Sequence, residues 1–171
     1  MEEFKSVIFK DLGRINYKEA WDFQENIFSG VLNSKSENRN RSDDNQVRTT
    51  DYLLFAEHNP VYTIGKSGDM KNLLANKNQL EELGIEFFKI NRGGDITYHG
   101  PGQLVGYPIL NLDHFFTDIH RYLRTLEDVI IDTLFEYGLK GGRISGETGV
   151  WLDPETPFAR KICAMGVRAS R

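Results

Sequence analysis

"NRGGDITYHGPGQLVGYPIL", Asn91 to Leu110, sets five glycines and two prolines around a single Tyr-His pair and then runs into apolar sequence. "IEFFKIN" (85–91) reads as a strand leading in and "LVGYPIL" (104–110) as a strand leading out, so the glycines fall on a strand-to-strand loop. Glycine lets another molecule approach the main chain and costs order on folding, while proline fixes φ. Such a loop can present preset amide donors to a carbonyl or oxyanion, with His99 as a further donor or proton carrier. The bland alternative is a demanding turn whose histidine only satisfies a neighbour. The residues alone leave both open.

Working outward, Tyr17, Ala20, Trp21, Ile27, Phe28 and Val31 recur at helical spacing, which predicts an amphipathic helix. The polar run Asn33 to Thr50 has almost no apolar content and reads as a mobile loop. "YLLFAEH" and "VYTI" flank Asn59-Pro60 and read as two strands, and "NKNQLEELG" as a short helix stopped by Gly84. The strongest helix runs from Ile119 to Tyr137, capped by Thr117 and ended by Gly138. "GVWL" and "KICAMGV" follow as strands. This order lacks the strict alternation of a doubly wound fold and predicts an α+β domain, a mixed β-sheet with packed helices, spanning 1–171.

Composition narrows the partners. A net charge of −4 argues against a general nucleic-acid binder. No apolar run approaches a membrane span and no signal-peptide pattern opens the chain, so a cytoplasmic protein is expected. One cysteine, Cys163, excludes an internal disulfide or a cysteine-based zinc site, and His58, His114 and His120 have no metal-ligand spacing, which leaves them surface or capping roles.

Two phosphate motifs fail on spacing. "GKS" at Gly65–Ser67 lacks the earlier glycine of a phosphate loop, since Pro60 stands there, and "GPGQLVG" lacks both the dinucleotide spacing and a following helix. Lys161 and Cys163, two apart on a strand, would share a face and lower the thiol pKa, or else Cys163 is simply a buried strand residue. Arg168 and Arg171 read as either an anionic-partner contact or the polar end of a strand.

"RGGDITYHGPGQLVGYPIL", with "EHNPVYTIGKSGD", "GETGVWL" and "KICAMGVRASR", closely resembles the lipoyl-pathway octanoyltransferases, related in fold to the lipoate and biotin protein ligase catalytic domain. The resemblance covers nearly the whole chain outside 33–50. It implies that an octanoyl group passes from acyl carrier protein to an enzyme cysteine and then to a lysine of a lipoyl domain, in 2-oxoacid dehydrogenases or the glycine-cleavage H protein, with no cofactor or metal. Residue by residue it implies an acyl-binding segment at Arg92, Gly93, Gly94, Asp95, Ile96, Thr97, Tyr98 and His99, a second at Ala164, Met165 and Gly166, and a catalytic role for His99 and for Lys161, which lowers the pKa of the nucleophilic cysteine. That cysteine sits in a Pro-Cys-Gly segment of the family beyond the position matching Arg171, so a domain without its C-terminal part is expected, and Cys163 does not match the nucleophile. Rival expectations are an ATP-dependent lipoate or biotin ligase, and a non-enzymatic binder of acyl carrier protein or lipoyl domains.

Overall fold

A computed structural model of the chain describes residues 6–42 and 45–170. Those up to His114, together with those from Arg168, group into one unit, and Phe115–Val167 into a second. In the first unit, β1 (Val7–Ile15) leads through α1 (Tyr17–Asn38) to β2 (Asp51–His58). The two strands pair in parallel, and an antiparallel strand, Val105–Ile109, completes a sheet centred on β2. Leu54, Ala56 and His58 alternate along β2 and are all buried, which is the period-two signature of a strand with one covered face.

A second sheet repeats the plan. Strand β3 (Val61–Ile64) leads through α2 (Lys77–Glu82) to β4 (Glu86–Lys89), which pairs with it in parallel. Asn76 and Gln79 form a reciprocal capping box at the start of α2, satisfying two otherwise orphaned amides. On the other side of β3 lies β5 (Ile96–His99), antiparallel, with Thr63 opposite Thr97 and Val61 opposite His99. The loop predicted between β4 and Val105–Ile109, strand β6, therefore contains a strand. "ITYH" is β-branched and aromatic, and Tyr62 and Tyr98 face each other across the pair at 5.1 Å between ring centroids.

Four further elements differ from the sequence expectation, two of them in the first unit. Strand β1 escaped it because the strand is an edge with exposed side chains and a register shift between Asp11 and Arg14, where the Asp11 carboxylate accepts the Gly13 amide at 2.8 Å. Helix α1 continues to Asn38, so 33–38 is helical rather than loop. Tertiary contacts offset its weak propensity: the Asn38 carboxamide exchanges two hydrogen bonds with the backbone of Val47, at 2.7 and 2.9 Å, and Lys35 pairs with Asp113 at 2.7 Å. Within the rest of 33–50, Asp43 and Asp44 lie outside the described residues.

The second unit carries α3 (Ile119–Glu136) and an antiparallel sheet, β7 (Gly141–Gly142), β8 (Val150–Leu152) and β9 (Arg160–Cys163), in that order. The cap of α3 is Asp118 rather than Thr117: its carboxylate accepts the Arg121 amide at 3.0 Å. Strand β9 stops at Cys163, so Ala164–Val167 is not strand as expected. No helix among the described residues is long and apolar enough to cross a membrane.

The Asn38 clip yields a test. Asn38→Ala removes two hydrogen bonds worth about 1 kcal/mol each, so the amides of the last turn of α1 should exchange with solvent roughly tenfold faster or more. Unchanged exchange would show that α1 needs no support from Val47.

Candidate active site

Arg92 organises the glycine segment. Its Nη2 donates to Thr97 Oγ1 at 2.6 Å, to Thr63 Oγ1 and the Asp95 carbonyl at 3.0 Å, and more weakly to the Thr63 carbonyl, while Nη1 donates to the Gly93 carbonyl at 2.9 Å. One guanidinium thus bridges the facing residues Thr63 and Thr97 and turns the chain between them. Burial lowers the Arg92 pKa, opposed by Tyr17 and Asp95. Arg92, expected as a substrate contact, has its guanidinium engaged with the protein's own acceptors.

"GKSG", rejected as a phosphate loop, is the surface on which that segment rests. The Lys66 amide donates to the Arg92 carbonyl at 3.0 Å, the Gly65 amide to Asp95, and Ser67 Oγ to the Gly94 carbonyl at 3.1 Å. A Cβ at Gly65 would stand 2.3 Å from the Gly94 oxygen, so only glycine permits this approach of two backbones. Asp95 turns its carboxylate to the same strip, accepting the Asp69 amide at 3.1 Å and the Asn72 side chain.

At the far end of β5, Gly100–Gln103 forms a turn closed by the Gln103 amide on the Gly100 carbonyl at 3.1 Å. Pro101 followed by Gly102 at φ +84° has the signature of a type II turn. The turn brings Gln103 Oε1 to 2.5 Å from His99 Nδ1. Tyr17 stacks on the His99 ring, 6.1 Å away and 12° from parallel, and the His58 ring stands edge-on at 5.9 Å. Burial lowers the His99 pKa, the Gln103 hydrogen bond opposes it, and His58 and Arg92 add to the lowering. His99 is therefore neutral at neutral pH.

The sequence reading missed part of this cluster. His58, expected at the surface, is fully buried; its Nδ1 donates to the Ile15 carbonyl at 3.0 Å, and its Nε2 lies 2.6 Å from the Tyr107 hydroxyl. Burial raises the Tyr107 pKa strongly, reinforced by Tyr17, so the phenol keeps its proton and donates it. The signal was available: His58 falls on the buried side of β2 in register with Leu54 and Ala56. His114 also differs from expectation, with Nδ1 2.7 Å from the buried Asp51 carboxylate. His120 is exposed on α3.

Lys161, Cys163, Ala164, Met165 and Gly166 all lie in the second unit, whereas the segment Arg92–His99 lies in the first. Lys161 Nζ sits 4.4 Å from the centroid of the Trp151 ring and 3.9 Å from Glu147 Oε2. The register of β8 and β9 shifts between Val150 and Trp151, which breaks the two-apart rule that put Lys161 and Cys163 on one face. Burial raises the Cys163 thiol pKa and Glu127 raises it further. An activated thiolate is the opposite of this environment. Arg168 pairs with Glu25 and lies over the Phe28 ring at 4.7 Å; Arg171 is outside the described residues.

This architecture, a mixed sheet with packed helices and a glycine segment folded on an arginine, is that of a lipoyl ligase-like catalytic domain. Residues 16–171 match the lipoyl protein ligase A/B catalytic domain. The chain is 62% identical over 167 residues to the octanoyltransferase of Flavobacterium johnsoniae, covering 98% of this chain and 71% of that one, and 62% identical to that of Christiangramia forsetii, covering 98% and 70%. Its fold is similar to that of a bipartite lipoate protein ligase from Thermoplasma acidophilum, with a TM-score of 0.61 at 16% identity. That alignment covers 92% of this chain, and the chain spans about half, 54%, of that structure. The chain belongs to the lipoyl protein ligase A/B catalytic-domain family, among the octanoyltransferases.

Two outcomes follow from the geometry. Gly65→Ala should destabilise the first unit by about 2 kcal/mol, as overpacking against rigid backbone does, and lower Tm by several degrees; a Tm equal to wild type would mean that the two loops separate freely. His99 should titrate by NMR below its ordinary value of 6.5. The fold prefers the neutral ring, so this contribution is present above pH 6.5 and is lost as pH falls from there through the lower folded pKa. A titration midpoint above 6.5 would refute the assignment.

Proposed function

We propose that the chain serves octanoyl transfer in the cytoplasm, in which the acyl group passes from the thioester of octanoyl-acyl carrier protein, through a cysteine other than Cys163, to a lysine ε-amine of a lipoyl domain, in 2-oxoacid dehydrogenases and the glycine-cleavage H protein. The observation that carries the reading is the Arg92-folded glycine segment ending on a neutral, half-buried His99, in a chain whose relatives are octanoyltransferases. Gly93, Gly94, Asp95 and Ile96 offer backbone against which a thin acyl chain and its thioester lie. Ala164, Met165 and Gly166 form the second acyl-binding stretch. Lys161 is the cation that stabilises thiolate on the acyl-carrying cysteine, and Trp151 and Glu147 hold its ammonium.

Cys163 is the one cysteine in the sequence, so an acyl-cysteine within residues 1–171 forms there or nowhere. Its thiol is pushed up by burial and by Glu127, which leaves little thiolate at neutral pH, and we assign the acyl-carrying thiol elsewhere. The same poor ionisation favours a second reading, a binder of acyl carrier protein or lipoyl domains without transfer.

Intact-mass analysis after incubation with octanoyl-acyl carrier protein separates these ideas. No octanoyl adduct should form on Cys163, and Cys163→Ser should transfer octanoate to a lipoyl domain as well as the unaltered chain does. A stable adduct abolished by Cys163→Ser would make Cys163 the nucleophile. Binding of the lipoyl domain with no transfer would select the second reading.

A further inference from the structure

The geometry around His99 fixes its proton as well as its position. Gln103 Oε1 faces His99 Nδ1 at 2.5 Å, and the other end of the amide, Nε2, donates to the Tyr98 carbonyl at 3.4 Å. A carboxamide oxygen has no proton to give, so Nδ1 carries the hydrogen and donates it. A neutral imidazole has one N–H, which leaves a lone pair on Nε2. His99 Nε2 has no hydrogen-bond partner among the described residues, and no buried side-chain nitrogen or oxygen among them lacks one. Nε2 is consequently open to solvent-reachable space. His58 is the contrast: its Nδ1 donates to Ile15 and its Nε2 accepts from Tyr107, so both nitrogens are committed.

We propose that Gln103 is a positioning residue that selects the Nδ1–H tautomer of His99, so that Nε2 accepts an N–H from an incoming amine. The identity of that amine as a lysine ε-amine rests on the octanoyl-transfer reading; the tautomer does not. The type II turn holds Gln103 against the Nδ1 edge, stacking on Tyr17 sets the plane of the ring, and the hydrogen bond from Nδ1 to Gln103 fixes which way the ring is flipped in that plane. Instead of donating to an oxyanion, His99 presents an acceptor, which suits a nucleophile that must shed a proton.

Long-range 1H–15N correlation spectra of the imidazoles test this on the chain as it stands. Wild type should show His99 protonated at Nδ1 and bare at Nε2. Gln103→Leu, which removes the acceptor, should move most of the population to the Nε2–H form, and Gln103→Glu, which keeps an acceptor, should restore Nδ1–H. The His58 pattern, set by Ile15 and Tyr107, should stay constant and report an intact fold. Nε2–H in wild type, or an unchanged His99 in Gln103→Leu with His58 undisturbed, would overturn the proposal. Should Gln103→Leu disturb His58, Gln103→Glu decides: Nδ1–H supports the proposal and Nε2–H overturns it. A titration with an unmodified lipoyl domain then addresses the amine. A shift at His99 Nε2 that requires the target lysine supports the assignment, and binding without that shift overturns it. Absence of binding overturns the transfer reading and the amine assignment together, while the tautomer measurement stands on its own.

Discussion

The glycine segment of the first unit depends on one half-buried charge. Arg92 sits where β4 has ended and β5 has not begun, and its guanidinium supplies donors to a stretch of backbone that has no strand partner. Without it, the fully buried Thr63 hydroxyl would lose a donor that its desolvated surroundings cannot replace from water, and the exposed carbonyls of Gly93 and Asp95 would lose the group that ties them to it. A lysine could not substitute, because a single ammonium lacks the planar fork that reaches Thr63, Thr97 and Gly93 together. The glycines follow from this. Once the guanidinium draws the segment inward, the Gly94 carbonyl meets Gly65 at a distance that leaves no room for a side chain at Gly65, while Gly94 itself is required by its φ of +92°.

What the clamp secures lies at the other end of β5. Rigid pairing of β3 with β5 carries the constraint from Thr97 to His99, and there the ring enters an aromatic cluster with Tyr17, His58 and Phe88. Burial in such surroundings lowers the His99 pKa, and the His58 ring 5.9 Å away adds to that lowering. The fold commits His58 to two hydrogen bonds and His99 to one. Neutrality of His99 is thus a property of the packing, and its single open nitrogen is what remains after the packing has been satisfied.

Sequence periodicity revealed most of the architecture. The helix around Tyr17, the long helix before Gly138, and the strands "YLLFAEH", "VYTI" and "IEFFKIN" stand where hydrophobic spacing and turn residues put them. Elements held by particular contacts were not legible. Asn33–Asn38 is polar all round and is helical because Asn38 reaches Val47 and Lys35 reaches Asp113, contacts separated widely in the chain. The strand Ile96–His99 hid inside a glycine-rich run whose composition speaks of turns. His114 was invisible as a network residue because its partners Asp51 and Thr49 lie more than sixty positions away. The glycine of "GKS" serves a purpose no motif search asks about: contact with another backbone.

In the second unit, charge placement separates two residues that one strand places close together in sequence. Glu127 is fully buried; burial would raise its carboxyl, but the Gly149 amide and the Arg143 and Arg124 guanidiniums outweigh that and hold it below the ordinary range. It is a fixed anion, and the field it projects raises Cys163. Lys161, one strand position removed from that thiol's neighbour, spends its charge on the face of Trp151 and on Glu147. A cation shared between an aromatic face and a carboxylate is anchored without being quenched, because the π-face neutralises no charge. An anion that raises the cysteine and a cation anchored on Trp151 and Glu147 are the wrong arrangement for an activated Lys161–Cys163 pair.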